Sequence, residues 1–174
     1  MSGQDELYRQ AADEHGAALA RLARAYEADH DRRRDLLQEI HVALWRSFLL
    51  YDGRCSMRTW IYRVAHNTAT SLVTRRRGKT PVLVTLEEAA AASTSDDHEV
   101  RLDRQRTLER LLALIRVLKP IDKQLMLLHL EGMDAASIGD VTGLSAGNVA
   151  TKLHRIRTLL VEKFKTATGE RDDT

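Results

Sequence analysis

The residues most able to do chemistry in this chain are basic, and they come in two groups. From Gly53 to Leu86 there is no acidic residue, while Arg54, Arg58, Arg63, Arg75, Arg76, Arg77 and Lys79 give that window seven positive charges. A helix with an aromatic anchor, a polar face and a basic end attracts a polyanion at long range and donates to its oxygens at contact, which suits nucleic acid. The same run also fits a solvated surface helix with a basic exit. The second group is Ala146, Asn148, Thr151, Lys152 and Arg155, which read as one outward helix face. Their amide, hydroxyl, ammonium and guanidinium groups could reach base edges and phosphates from a major groove. An ordinary helical hairpin with a basic face is the competing reading.

Other chemistry finds little support. The seven histidines, at 15, 30, 41, 66, 98, 129 and 154, are scattered, and no His/Asp/Glu set has the spacing of metal ligands. There is no Gly-rich phosphate loop. Cys55 is the only cysteine, so neither an intrachain disulfide nor a multi-cysteine metal site can form. No catalytic residue, metal or cofactor is expected, and an enzyme is set aside.

The elements that must position these groups are helical. Of 174 residues only two are proline, and net charge is +2, so the basic windows are balanced by acids elsewhere. Ser56 can cap a helix over 56–79. Trp60, Ile61, Val64, Ala65, Thr68 and Leu72 recur at helical spacing as its inward face, leaving Arg58, Arg63, His66, Asn67 and Thr70 on other faces. Before it, residues 1–14 read as a lead-in or helix start, and Leu19, Leu22, Ala23 and Tyr26 stripe a helix over 15–28. A second helix over 35–50 has more apolar residues than one stripe holds, so packing on two sides is expected. Tyr51 to Cys55 is a turn broken at Gly53. Residues 80–100, with Glu87, Glu88, Asp96, Asp97 and Glu99, read as a flexible tether.

Beyond the tether, Leu108, Leu111, Leu112, Ile115 and Leu118 stripe one helix. Pro120 opens the next, which carries Leu125, Leu127, Leu128 and Leu130 and ends through Gly132. A short helix with Ile138 and Val141, the turn Gly143-Leu144-Ser145 and a long helix from Ala146 then give a helix-turn-helix pattern. Val149, Leu153, Ile156 and Leu160 alternate steps of four and three, as a buried seam should. The fold class is therefore all-α, with a helical domain over 1–79, a linker over 80–100 and a helix-turn-helix domain over 101–174. No apolar run reaches the ~18 residues of a membrane helix. The polar N-terminus does not read as a signal peptide, and a cytoplasmic protein is expected.

Taken together, three segments resemble the extracytoplasmic-function class of bacterial RNA polymerase sigma factors. Asp35-Leu36-Leu37-Gln38-Glu39-Ile40-His41-Val42-Ala43-Leu44-Trp45-Arg46 is similar to the family's region 2.2. Ser56-Met57-Arg58-Thr59-Trp60-Ile61-Tyr62-Arg63-Val64-Ala65-His66-Asn67 is similar to the promoter-reading helix that follows it, and residues 143–157 are similar to the region 4 recognition helix. The resemblance spans about 15–165. It implies a specificity subunit that binds core RNA polymerase and directs initiation at promoters. Asp35, Gln38, Glu39 and Trp45 would dock on the clamp helices. Tyr51, Asp52, Gly53 and Arg54 would form a loop holding an extruded −10 base, with Arg58, Arg63, His66, Asn67 and Thr70 supplying contacts beside it. Arg75, Arg76, Arg77 and Lys79 would grip phosphates. Ser145, Asn148, Thr151, Lys152, His154 and Arg155 would read the −35 element, with the second domain near the polymerase flap and the tether running toward the RNA exit path. An anti-sigma protein is a further partner that the resemblance implies.

The departures from the family pattern are specific. Arg32-Arg33-Arg34 stands where acids are frequent, His41 takes a usually apolar place, and Met57 replaces Phe. Lys152 replaces an arginine and cannot make its bidentate fork. Ala150 and Asn148 stand where a basic residue and Thr are frequent, so an unusual −35 sequence is expected. The alternative reading is a stand-alone helix-turn-helix regulator whose first domain dimerises or senses a ligand. The region 2.2 match counts against it, because a sensing domain needs no such motif. Cys55 could suggest a redox switch, but a small half-buried residue is the better reading, since reactivity needs a low pKa and exposure. Cys55→Ser is expected to leave promoter-dependent transcription unchanged, with and without oxidant, in an in vitro transcription assay.

Overall fold

The structure, a computed structural model, describes residues 3–79 and 100–168. Of the expected tether over 80–100, residues 80–99 lie outside the described residues, as does the tail beyond 168, while Val100 already belongs to a helix. Seven helices are described, and no strand occurs among the described residues: α1 (Gly3–Tyr26), α2 (His30–Ser47), α3 (Met57–Lys79), α4 (Val100–Arg116), α5 (Pro120–Leu130), α6 (Ala135–Thr142) and α7 (Ala146–Thr168).

α1 begins far earlier than the Leu19–Tyr26 stripe suggests. Asp5 and Glu6 stand in its first turn, where they offset the helix dipole. Its polar first half is tied down from α2: the Trp45 indole donates to Asp5 Oδ1 at 3.1 Å, and Gln4 donates to the Trp45 carbonyl at 2.7 Å. α2 also starts early. Asp29 is its N-cap, accepting from the Arg32 amide at 2.9 Å. The three arginines thus sit inside the first turns, where cations oppose the dipole and the cap and Asp31 offset them.

α2 packs against two neighbours, α1 and α3, as expected, but not through all of its apolar residues. Leu36, Ile40, Leu44 and Phe48 form one buried stripe, while Val42, Trp45, Leu49 and Leu50 are exposed, the last two to 71% and 77%. The apolar surplus points to solvent.

α3 is the central element, packed against α2, α1 and α6. Ser56 caps it as the sequence suggests, accepting from the Thr59 amide at 3.1 Å. Its buried face is rotated relative to the expected stripe. Thr59, Ile61, Tyr62, Ala65, His66, Ala69 and Val73 are buried, whereas Trp60, Val64, Thr68 and Leu72 are only partly so. A helix with neighbours on three sides hides more than one stripe, and polar groups with partners can be part of what it hides.

In the second half the sequence reading of the helix-turn-helix holds closely. Gly132 (φ +77°) ends α5, and Gly143 (φ +80°) ends α6 in the left-handed conformation. Pro120 opens α5, and Ser145 Oγ accepts from the Asn148 amide at 3.3 Å. Ile138, Val141, Val149, Leu153, Ile156 and Leu160 are buried as one seam, with Leu144 packed against it. One contact was not legible. A Cβ on Gly139 would lie 2.5 Å from the Leu144 carbonyl oxygen, so α6 and the turn can approach only because this residue has no side chain. Gly139→Ala should cost about 1–3 kcal/mol by forcing the turn away from the helix. Urea unfolding checks this, and an unchanged midpoint would show that the turn yields freely.

Candidate nucleic-acid interface

The turn between α2 and α3 is built from aromatic packing. The Tyr51 ring lies between Phe48 and Trp60, with centroids 6.2 and 5.4 Å away. Its hydroxyl donates to the Cys55 carbonyl at 2.9 Å, closing the turn. The Trp60 indole donates to Ser47 Oγ at 2.9 Å, locking α3 to the end of α2. Gly53 carries φ +75°, and Asp52 accepts from the Arg54 amide and pairs with its guanidinium at 2.9 Å. The turn is thus held before any ligand arrives, with Asp52, Gly53 and Arg54 exposed.

On α3 the five residues expected to face DNA do not share one environment. Asn67 is exposed and Thr70 is partly buried. Arg58 donates to the Glu131 carbonyl at 2.9 Å, and Arg63 donates to the Asp140 carbonyl. His66 corrects the expectation of a DNA-facing imidazole: it is 1% exposed, and its Nδ1 bonds the Tyr26 hydroxyl at 2.8 Å. Burial holds that imidazole neutral, its pKa pushed down to about 3, and lifts the Tyr26 phenol to about 12. The aromatic neighbours explain the placement, since Tyr26 and Tyr62 both pack on the ring.

The basic end of α3 is divided as well. Arg75 is exposed. Arg76 pairs with Glu27 at 3.5 Å and Asp35 at 3.8 Å and donates to the Arg32 carbonyl. Arg77 donates to the Arg116 carbonyl at 3.0 Å. Lys79 closes the helix, and its side chain lies outside the described residues.

On α2, Asp35, Gln38, Val42 and Trp45 step by three, four and three residues along one exposed face, with Glu39 also exposed beside it. Val42, Leu49 and Leu50 are exposed as well, although the apolar residues of this helix were expected to pack on two sides. The signal that could have found them is the count of apolar residues beyond what one buried stripe needs.

On α7, Ser145, Asn148, Thr151, His154 and Arg155 are all exposed. Lys152 is half-buried and lies 3.9 Å from Asp122. The first three turns therefore offer a hydroxyl, an amide and a guanidinium to one side, above a seam that cannot rotate. Among the described residues no cluster of three or more His, Cys, Asp or Glu could hold a metal ion, and no helix is long and apolar enough to cross a membrane.

An all-helical chain with one basic helix in each half, the second in a helix-turn-helix, defines a two-part reader of DNA. Comparison with known proteins says which kind. Residues 11–79 match Sigma-70 region 2, and residues 108–160 match Sigma-70, region 4. The RNA polymerase sigma-E factor of Streptomyces avermitilis is 32% identical over 152 residues, 85% of this chain and 79% of that protein. The RNA polymerase sigma factor YlaC of Bacillus subtilis is 27% identical over 97% of this chain and 94% of its own length. A similar fold occurs in the sigma factor RpoE from Bartonella quintana, solved with the anti-sigma factor NepR, at a TM-score of 0.68 and 16% identity over 91% of this chain and 96% of that one. The chain belongs to the RNA polymerase sigma factors of the extracytoplasmic-function class. It is a transcription initiation factor that directs RNA polymerase to promoters.

The buried imidazole gives a pH dependence with a definite sign. An unfolded histidine takes up its proton near pH 6.5, whereas folded His66 does so only near 3. The unfolded chain therefore binds more protons in this window, and stability falls as pH drops from about 6.5 toward 3. Burial lowers the pKa of His41 and His15 in the same direction. The melting temperature should fall between pH 7 and pH 5, and His66→Gln should flatten the fall. A wild-type profile level over that range would contradict the assignment.

Proposed function

We propose that the labour within this sigma factor is divided among three surfaces. The exposed stripe of α2, with Asp35, Gln38, Glu39 and Trp45, docks on the clamp helices of core RNA polymerase. Its mixed character supports this: acids for a basic coiled coil, with Val42, Trp45, Leu49 and Leu50 adding apolar area to be covered. Trp45 and neighbouring apolar side chains at the centre of such a patch are the usual carriers of affinity.

The turn Tyr51–Cys55 and the exposed side of α3 take the −10 element. Extruding a base costs a few kcal/mol of stacking. A pre-formed turn spends nothing further on ordering itself, so binding of the single strand can drive opening with no hydrolysis and no catalytic group. Arg54, Arg58, Arg63 and Asn67 are the contacts, and Arg75 with its neighbours holds phosphate. The recognition helix α7 reads the −35 element through Asn148, Thr151 and Arg155, with Ser145 and Lys152 toward the phosphates and His154 at the edge. The flap is where this second half meets the polymerase. An anti-sigma protein would compete for these same surfaces, and the similar RpoE was itself solved with one, NepR; the cytoplasm, where polymerase and DNA meet, is the compartment.

The observation that carries the reading is the exposure of Asn148, Thr151 and Arg155 on one side of α7 while the opposite side is fixed in the seam. The test is run-off transcription with purified core. The chain should bind core and start transcripts only as holoenzyme. DNA binding by the free chain with no affinity for core would favour the stand-alone regulator instead. Within the holoenzyme, Arg155→Ala should cost about 1–3 kcal/mol and relax preference at one −35 position, while Arg75→Ala should weaken all promoters about equally and reduce the salt slope by about 1. A change in −10 preference on replacing Arg75 would overturn that division of roles.

A further inference from the structure

The first turns of α1 are fastened to the second half of α2 at two places. Gln4 and Asp5 lie one turn before Tyr8, and they meet Trp45, one turn after His41. Asp5 Oδ1 accepts from the Trp45 indole N–H at 3.1 Å, and Gln4 Nε2 donates to the Trp45 carbonyl at 2.7 Å. One turn on, the Tyr8 hydroxyl and His41 Nδ1 lie 3.1 Å apart, with the two rings edge to face at 6.0 Å. Gln4, Asp5 and Tyr8 all precede residue 11, where the match to Sigma-70 region 2 begins.

This segment satisfies both polar groups of Trp45. α2 stops at Ser47, so its last carbonyls have no helical amide to bond. The Leu49 amide turns to the Arg46 carbonyl, and Gln4 takes that of Trp45. The indole N–H meets a carboxylate, and a bond to a charged acceptor is stronger than one to a neutral group. Trp45 is nonetheless 41% exposed, on the stripe that also carries Asp35, Gln38 and Val42. Its polar edge is held while apolar ring surface stays open to solvent.

A tryptophan that enters an interface unprepared meets two penalties. Its rotamers must be frozen on binding, and an indole N–H covered without an acceptor becomes a buried, unpaired donor. Asp5 removes both before a partner arrives. We propose that Gln4 and Asp5 are positioning residues for Trp45, which makes the start of α1 part of the polymerase-docking surface. The inference rests on the reading that the exposed stripe of α2 docks on core polymerase.

The contacts divide the work. Tyr8 and His41 set the register of the two helices, so that Asp5 stays opposite Trp45. Gln4 holds the backbone from which the indole projects, and Asp5 holds the ring itself. Hydrogen bonding to the indole needs an acceptor oxygen at position 5 and no charge. Attraction to a basic coiled coil needs the charge and is indifferent to the indole. Asparagine keeps the oxygen and loses the charge, so it separates a positioning role from a direct ionic contact.

The test measures the affinity of the full-length chain for purified core polymerase. Asp5→Ala should weaken binding about tenfold, and Asp5→Asn should bind about as the wild type does. In a Trp45→Phe chain, which has no indole N–H, Asp5→Ala should cause no further loss. The chain has two tryptophans, at 45 and 60, so a Trp60→Phe chain reports Trp45 emission alone. Its time-resolved anisotropy should gain a fast local component on Asp5→Ala and none on Asp5→Asn. Far-UV circular dichroism follows the fold of each variant. Should Asp5→Ala fold poorly, Gln4→Ala takes its place and should loosen Trp45 and weaken core binding likewise. Wild-type affinity in Asp5→Ala would overturn the proposal, as would an equal loss in Asp5→Asn or an undiminished loss in the Trp45→Phe chain. Trp45→Ala tests the underlying reading separately. Wild-type core affinity in that variant would remove Trp45 from the docking surface and the proposal with it. A loss there beside a normal Asp5→Ala chain would leave the docking reading standing and overturn only the positioning role.

Discussion

The Tyr26 hydroxyl and His66 Nδ1 meet at 2.8 Å in the interior, and the rotation of α3 about its own axis depends on that meeting. With His66 turned inward, Tyr62 one turn earlier must follow, and both become buried against α1. The arginines at 58 and 63 are then set on the flank that α5 and α6 can reach. A helix with a featureless apolar stripe could turn by tens of degrees at little cost. One with a buried, hydrogen-bonded imidazole cannot, because a turn would leave the imidazole and the phenol unpaired away from water.

From that constraint follows how this protein uses charge. Its net charge is small, yet α3 carries six arginines and lysines and no acid. In the folded chain those cations are rarely idle. Arg76 spans Glu27 and Asp35, Arg21 grips Glu131, and Arg58 and Arg63 hold the ends of two helices. A phosphate that met Arg58, Arg63 or Arg76 would compete with these internal acceptors, whereas Arg75 stands exposed. Arg76 carries a further consequence, since through Asp35 it links the basic end of α3 to the face of α2 on which the polymerase would dock.

Legibility was uneven for identifiable reasons. The helix-turn-helix was plain because its signals are local. Gly143 needs a left-handed conformation, Ser145 caps the following helix, and the seam from Ile138 to Leu160 has the period of a single buried stripe. The family resemblance was plain for the same reason, being carried by contiguous segments. The buried face of α3 was not, because the periodicity that selects Trp60, Val64 and Leu72 leaves Tyr62 out and sends His66 outward as a polar residue. On α2 the surplus of apolar residues was legible, and the helix does pack on two neighbours, but part of that surplus forms an exposed face. Gly139 gave no signal at all, since a glycine needed for close approach looks in sequence like any other.

The sequence by itself determined that the chain is helical, where most helices stop and which segments belong to a sigma factor, because these rest on propensity, capping and short-range spacing. Only the tertiary structure decided which groups are free to act. Whether Arg58, Arg63 and His66 face a ligand, a helix end or the interior depends on neighbours 40 to 77 residues away. Burial and partner are properties of those long-range contacts, and no local pattern contains them.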